Sequence, residues 1–364
     1  MIACANAMFA LALSRFLPPE LAVSAGVGFY FLTMNRFLAQ MRDQPRPRFI
    51  TKLLDEPLFA HFGASTLSLL LSPVCVVLAA LWAVLHRSSV LSALGFWRLG
   101  EGYLYAFGLA LSAWAIWVER RWVRVRQIEV RVAALPTELE GYRIVQLSDL
   151  HVGSFDPKAR ALEWVALSNA QGADLAVVTG DLVTSGTGFY ADVADAIAAL
   201  RAKDGVFVSM GNHDQSNNDE LTRFVRERGP TVLRNAFHSI RRGNAELTLA
   251  GLDGRVMPGD VARVLGSCPR GAPIVFLSHY PSAFEAAAAA GADLVLAGHS
   301  HGGQLGVPFF SQRLNLARLT GQRSRGLVYS GKTAMYVNAG LGTTGPPMRL
   351  AVPPEIAVIT LRCG

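Results

Sequence analysis

Asp149-Leu150-His151, Gly180-Asp181, Gly211-Asn212-His213-Asp214, His279 and Gly298-His299-Ser300-His301 hold five of the eight histidines of the chain. Each cluster directly follows a short apolar or β-branched run. A lone histidine after a strand is ordinarily a satisfied core or surface residue, but five at successive strand ends bring imidazole, carboxylate and amide donors to one edge. Those donors, with no thiolate among them, suit borderline to hard divalent ions such as Mn, Zn or Fe. Two such ions ~3.5–4 Å apart need a shared carboxylate, and together they polarise the attacking and leaving oxygens of a phosphoryl centre. Two carboxylates facing two dipositive ions leave the site net positive, which favours hydroxide and an anionic substrate. Gly180, Gly211 and Gly298 lack a Cβ, so their turns can carry the next donor close to the metals; singly, each would be ordinary turn punctuation.

The elements that position these clusters are legible. Runs at 143–148, 175–179, 206–210, 274–278 and 294–297 read as strands, and 158–171, 189–203 and 282–290 read as helices. This is an α/β domain with its site at the strand C-termini. Val123, Val125, Ile128 and Val130 alternate roughly with polar residues and predict an edge strand leading into it. No repeat, dinucleotide fingerprint or Walker loop is present.

In order, Asp149, His151, Asp181, Asn212, His213, His279, His299 and His301 resemble the motif set of the calcineurin-like metallophosphoesterase superfamily, over about residues 142 to 361. The resemblance implies a β-sandwich flanked by helices (αββα). It implies one metal held by Asp149, His151, Asp181 and His301, and a second held by Asp181, Asn212, His279 and His299, with Asp181 bridging. It also implies that His213 contacts the phosphoryl group and protonates the leaving oxygen, while Asp214 orients that imidazole; hydrogen bonding within its loop is the alternative for Asp214. The block 298–304, the run 340–349 and Pro353-Pro354-Glu355 look like a branch of membrane-associated bacterial phosphoesterases, among them UDP-2,3-diacylglucosamine pyrophosphatases of lipid A synthesis. Arg349 reads as a structural ion pair in preference to a phosphate contact.

The composition, 51% hydrophobic with 17% charged residues, excludes disorder and points to a membrane part. Residues 64–85 carry no charge and exceed the ~20 residues that cross a bilayer as a helix. Residues 102–118 are also uncharged, with Trp114, Trp117 and Trp122 as an aromatic belt. Residues 1–17, interrupted by Arg15, and 21–34, ending near Arg36, read as a helical hairpin turning at Pro18 and Pro19. A cleaved signal peptide competes for the first stretch, but no basic residue precedes Arg15. The expected organisation is therefore a four-span region over 1–118, a basic linker with an edge strand over 119–141, and a metallophosphoesterase domain over 142–364.

The 34 basic and 27 acidic side chains divide so that 1–118, 119–135 and 136–364 carry +3, +3 and +1, which argues against a nucleic-acid footprint on the large domain. Arg36, Arg42, Arg46, Arg48 and Lys52, and then Arg120, Arg121, Arg124 and Arg126, place both basic tracts in the cytoplasm by the positive-inside rule. The expected location is thus a bacterial inner membrane, multi-pass, with the catalytic domain in the cytosol. Cys4, Cys75, Cys268 and Cys363 support no disulfide framework.

Residues 305–335 mix Phe309, Phe310, Leu314, Leu316 and Leu319 with Arg313, Arg318, Arg323 and Arg325, without strand alternation. They read as a lid packing on its own domain or as a surface for an acylated phosphate compound or a membrane. The expected function is a metal-dependent phosphoric ester or diphosphate hydrolase using two divalent ions (Mn, Zn or Fe) and hydroxide attack. Its substrate would be a phosphate-containing small molecule or a lipid such as UDP-2,3-diacylglucosamine. A non-catalytic membrane protein with a phosphoesterase-like binding module is the alternative.

Overall fold

The computed structural model describes residues 2–14, 17–40, 45–133, 135–254 and 256–364. Arg15 and Arg42, which enter the hairpin and charge readings above, lie outside the described residues. The chain forms two compact units, one comprising the N-terminal helices through Glu119 together with 345–348, the other carrying most of the chain from Arg120 onward.

The first unit is helical: α1 (Ile2–Leu13), α2 (Pro19–Gln40), α3 (Arg48–Ile50), which runs through a π-turn (Thr51–Asp55) into α4 (Glu56–Leu85), and α5 (Val90–Trp117). The hairpin expected at Pro18 and Pro19 forms, and Gly26 permits its close packing, because a Cβ there would lie 2.8 Å from Ala10 Cβ. At 12 residues, α1 is about 18 Å long, short of the ~30 Å hydrocarbon thickness. Pro19–Gln40 and Arg48–Leu85 are long and apolar enough to cross a membrane. Leu70, Val77, Leu81 and Val84 of α4 and Phe107 of α5 are exposed. Two buried carboxylates of this unit are partnered: Asp55 by Arg36 at 3.1 Å and Arg46 at 3.2 Å, and Glu56 by Trp117 Nε1, which donates at 2.6 Å.

The second unit contains two six-stranded sheets. The first has the order β1 (Arg124–Val132), β12 (Glu355–Cys363), β2 (Arg143–Leu147), β3 (Leu175–Thr179), β4 (Val206–Ser209), β5 (Thr231–Val232). The second runs β10 (Gly326–Ser330), β11 (Thr333–Val337), β9 (Leu294–Ala297), β8 (Ile274–Leu277), β7 (Ala245–Gly251), β6 (Ala236–Arg242). In each sheet the central strands are parallel: β2 to β5 in one, and β7, β8, β9 and β11 in the other. Their apolar runs are continuous because both faces are covered.

Ile144, Leu175, Val177 and Phe207 of the first sheet meet Leu249, Val275, Leu277 and Leu296 of the second in the central core. The outer face of the first sheet carries α6 (Lys158–Asn169), α7 (Tyr190–Ala198) and α8 (Asn218–Arg226), with Trp164, Val193, Ile197 and Leu221 in a second core. The second sheet carries α9 (Asp260–Gly266) and α10 (Phe284–Ala289), with Val264, Phe284 and Ala287 in a third. The four layers are those of the expected αββα sandwich.

The expected edge strand is β1, paired in parallel with β12. One expectation is corrected: 305–335 is not all loop. It contains a short helix, α11 (Leu316–Leu319), all of β10 and the start of β11. Gly326, Gly331 and the short apolar runs around them masked the alternation of a hairpin whose second strand is wholly buried.

Candidate metal centre

All five clusters meet beyond the C-terminal ends of β2, β3, β4, β8 and β9, because parallel neighbours finish on the same edge. The loops are stitched together by backbone: Asp149 N donates to the Gly180 carbonyl and His151 N to that of Asp181, both at 3.0 Å. Asp149, His151, Asp181, His299 and His301 all have positive φ, between 44° and 70°. Such a conformation costs a non-glycine residue roughly 1 kcal/mol or more, so five together mark a site where the side chains are needed in one place. The glycines meet the same need. A Cβ on Gly211 would overlap Asp181, one on Gly298 would overlap Ser148 and Asp149, and one on Gly340, itself at φ 72°, would lie 2.8 Å from Asp149 Cβ.

Two groups of donor atoms result, Asp149, His151, Asp181 and His301 in one and Asp181, His279 and His299 in the other, with the atoms of each within 4.8 Å of one another. His151 Nε2 lies 3.0 Å from His301 Nε2, and His279 Nε2 lies 3.2 Å from His299 Nδ1, from Asp181 Oδ2 and from Asn212 Oδ1. His279 Nδ1–H donates to the Thr179 carbonyl, so Nε2 presents its lone pair to this cluster. His151 Nδ1 is buried with no hydrogen-bond partner among the described residues. Lone pairs converging with too few protons between them are what a pair of divalent cations satisfies, and the nitrogen and oxygen donor set fits that occupancy.

The electrostatics suit ligation except at His279, where burial acts downward but the Asp181 and Asp149 carboxylates outweigh it and raise the imidazole to about 10, so a cation there has a proton to displace. Burial lowers His151 to about 3 and His299 to about 4, keeping both imidazoles neutral, as ligation requires. Burial pushes Asp149 up to about 6. Burial also acts upward on Asp181, but the surrounding His279, His151 and His213 outweigh it and hold that carboxylate well below its ordinary range.

His213 is half-buried, its ring centroid 4.7 Å from that of His151. Its backbone N–H donates to Asp181 Oδ1 at 2.9 Å, and its Nδ1–H donates to the Thr184 carbonyl at 2.5 Å. Of the two roles expected for Asp214, its hydrogen bonds are those of the loop role. Its carboxylate accepts the backbone N–H of Leu182 (2.8 Å), Val183 (3.3 Å) and Gly211 (2.7 Å), joining the loops after β3 and β4, and the imidazole is oriented by Thr184. The loop turns Asp214 inward, so its fully buried oxygens face amides. Arg349 is likewise fully buried, but it donates to the carbonyls of Gly342, Ala339 and Val352, with Nη2 3.3 Å from His301 Nδ1. It braces the 339–352 turn through backbone carbonyls, with no ion pair among the described residues.

Three supporting groups were not singled out in the sequence. Thr184 acts through a main-chain oxygen that every residue has. Buried Gln146 donates to Thr179 Oγ1 and, across the sandwich, to the Ala297 carbonyl, both at 3.0 Å, so it ties the two halves of the site. Ser148 Oγ donates to Asp149 Oδ2 at 2.5 Å. Polarity at a core-facing position, as in Gln146 among Ile, Val and Leu, is the one clue that could have flagged it.

This sandwich, with carboxylates and imidazoles gathered at the strand ends around a shared aspartate, defines a two-metal hydrolase-type centre. The calcineurin-like phosphoesterase family profile matches residues 142–303. An Aquifex aeolicus metallophosphoesterase is 30% identical over 67% of this chain and 94% of its own length. Escherichia coli phosphodiesterase YaeI is 29% identical over 64% of this chain and 87% of its own. A Danio rerio transmembrane protein with metallophosphoesterase domain is 32% identical over 66% of this chain, which spans 57% of that relative's length. The chain belongs to the calcineurin-like metallophosphoesterase family.

Proposed function

We propose that the chain is a membrane-anchored phosphoesterase that hydrolyses phosphodiester or diphosphate bonds at a dinuclear metal centre. The observation that carries this is the joining of two donor groups through the one carboxylate of Asp181, with His213 fastened to that same carboxylate by its backbone N–H. Asp149, His151, Asp181 and His301 would hold one divalent ion, and Asp181, Asn212, His279 and His299 the other. When bound, the pair supplies Lewis-acid polarisation of the phosphoryl oxygens and an activated water. Hydrolysis then breaks the P–O bond to the leaving group, whose oxygen needs a proton. His213 can donate it from Nε2, since Nδ1 keeps its own proton on the Thr184 carbonyl throughout. Asp214 contributes by holding the Gly211 turn that presents Asn212 and His213.

The apolar helices of the first unit supply the anchor, in keeping with the transmembrane name of the Danio rerio relative. The basic tracts on either side of the α4–α5 hairpin favour a multi-pass inner-membrane protein with its catalytic domain in the cytosol. An anchor raises encounters with a substrate already in the leaflet, which favours a lipid-linked diphosphate such as UDP-2,3-diacylglucosamine over a soluble nucleotide. The deciding experiment incubates the detergent-solubilised full chain and Mn²⁺ with bis-p-nitrophenyl phosphate and, separately, with that lipid. Release of UMP and the acylated sugar phosphate above a His213→Ala control supports the lipid reading. Diester turnover without UMP removes the lipid reading and leaves a general phosphodiesterase. Inertness toward both substrates with two metals bound would remove catalysis itself.

A further inference from the structure

The most exposed apolar surface of the second unit is concentrated in one short excursion. Between residues 307 and 319, Val307, Phe309, Phe310, Leu314, Leu316 and Leu319 all stand open to solvent, whereas the other large exposed apolar residues described from Arg120 onward are scattered singly. Phe309 is fully exposed and sits at φ 66°, a left-handed conformation that a bulky side chain adopts only when its surroundings impose it. The expected packing of this segment as a lid on its own domain is therefore not what these side chains do.

The excursion is nevertheless built. Leu305 bridges to Leu350 and Gly306 to Asn315, Val307 N donates to the Leu314 carbonyl at 2.9 Å, and Phe310 N turns back onto Val307. Buried Asn315 donates to the Ser311 carbonyl and Ser324 Oγ and accepts from Arg318 N at 3.0 Å. A rigid frame thus holds phenyl and leucyl groups outward. Its charge has one sign: residues 305–335 contain four arginines and a lysine and no acid. Arg323 pairs with Glu285, while Arg313 and Arg318 are exposed and have no ion pair among the described residues.

We infer that residues 307–319 are a bilayer-docking element, inserting Phe309, Phe310 and Leu319 at the headgroup and acyl boundary of an anionic leaflet with Arg313 and Arg318 on lipid phosphates. Apolar tips flanked by unpaired arginines, with no acid anywhere in residues 305–335, match that boundary. The element begins six residues beyond His301, so docking brings the metal centre up to lipid-borne phosphates.

The test uses the full chain in nanodiscs of phosphatidylcholine with phosphatidylglycerol. Phe309 or, in a second variant, Leu319 is replaced by the photoreactive p-benzoylphenylalanine, and adducts are weighed by mass spectrometry after irradiation. Phe237, exposed on β6, is the control position. Phospholipid adducts at 309 and 319 but not at 237 are expected. Their yield should fall about threefold or more with Arg313→Glu and Arg318→Glu, or in pure phosphatidylcholine. Adducts only to a second copy of the chain, no lipid adduct at either position, or equal lipid adducts at 237 would overturn the inference.

Discussion

Replacing Asp214 by asparagine separates the two roles open to that residue. In the structure the carboxylate accepts three backbone N–H groups, two on Oδ1 and one on Oδ2. An asparagine can keep its oxygen toward Leu182 and Val183, but its amide NH₂ then faces the Gly211 N–H, donor against donor, in a fully buried place. Burial and the neighbouring Asp181 charge push the Asp214 carboxyl up to about 7, so the comparison is made at pH 8, where it is ionised; there, losing a hydrogen bond to a charged acceptor and leaving a buried donor unsatisfied costs about 3 kcal/mol. For a domain of this size that corresponds to a fall in Tm of roughly 6–12 °C. Because a Cβ on Gly211 has no room beside Asp181, displacement of the Gly211 turn also reaches the bridging carboxylate, and metal content should fall with stability. The assays are thermal unfolding of the purified protein, metal analysis, and turnover across aryl phosphodiesters of rising leaving-group pKa. The variant should melt early and lose rate evenly across that series. His213→Ala should instead keep its metals and lose about 10²-fold selectively on poor leaving groups, since p-nitrophenolate hardly needs a proton. An Asp214→Asn protein with unchanged Tm and a loss confined to poor leaving groups would refute the loop assignment and restore Asp214 as the orienting group.

Asp181→Asn removes the shared charge and should lower both metals together; one metal lost with the other retained in full would refute the bridging assignment. Away from the site, burial acts upward on Asp174 but is outweighed by Lys203, the Arg143 amide and Arg242, so its carboxyl titrates below its ordinary value. A depressed carboxylate stabilises the fold above the unfolded pKa, ~3.9, and that contribution is lost as pH falls through the folded value. Asp174→Asn should therefore melt below the parent at pH 7 and converge with it below about pH 4; an unchanged gap at low pH would count against the ion pairs as the source. For topology, a reporter fused after Gly364 should work only if it functions in the cytosol, and periplasmic alkaline phosphatase activity there would overturn the orientation.

Sequence alone carried the chemistry of this protein a long way. Donor type and order from Asp149 to His301, together with apolar runs ending in polar clusters, were enough for the parallel strands and their shared edge. They also carried the resemblance to the family, which in turn implied the ligand set proposed above; side-chain identity determines which ion a donor suits, and a parallel strand determines where its end lies. Tertiary structure decided what depends on which loop meets which. The partner of His213 Nδ1 is a main-chain carbonyl at Thr184, and Asp214 turns to the amides of Leu182, Val183 and Gly211; neither can be read from residue types, since every peptide group offers the same donor and acceptor. Gln146 joins the sheets only because the sandwich stacks β2 over β9. The pairing of β1 with β12 spans more than two hundred residues of chain and carries no local signature. Whether Phe309 is buried or exposed was equally undetermined by its apolar neighbours: packing left the excursion outside the core, and the backbone hydrogen bonds of residues 305–316 hold it there.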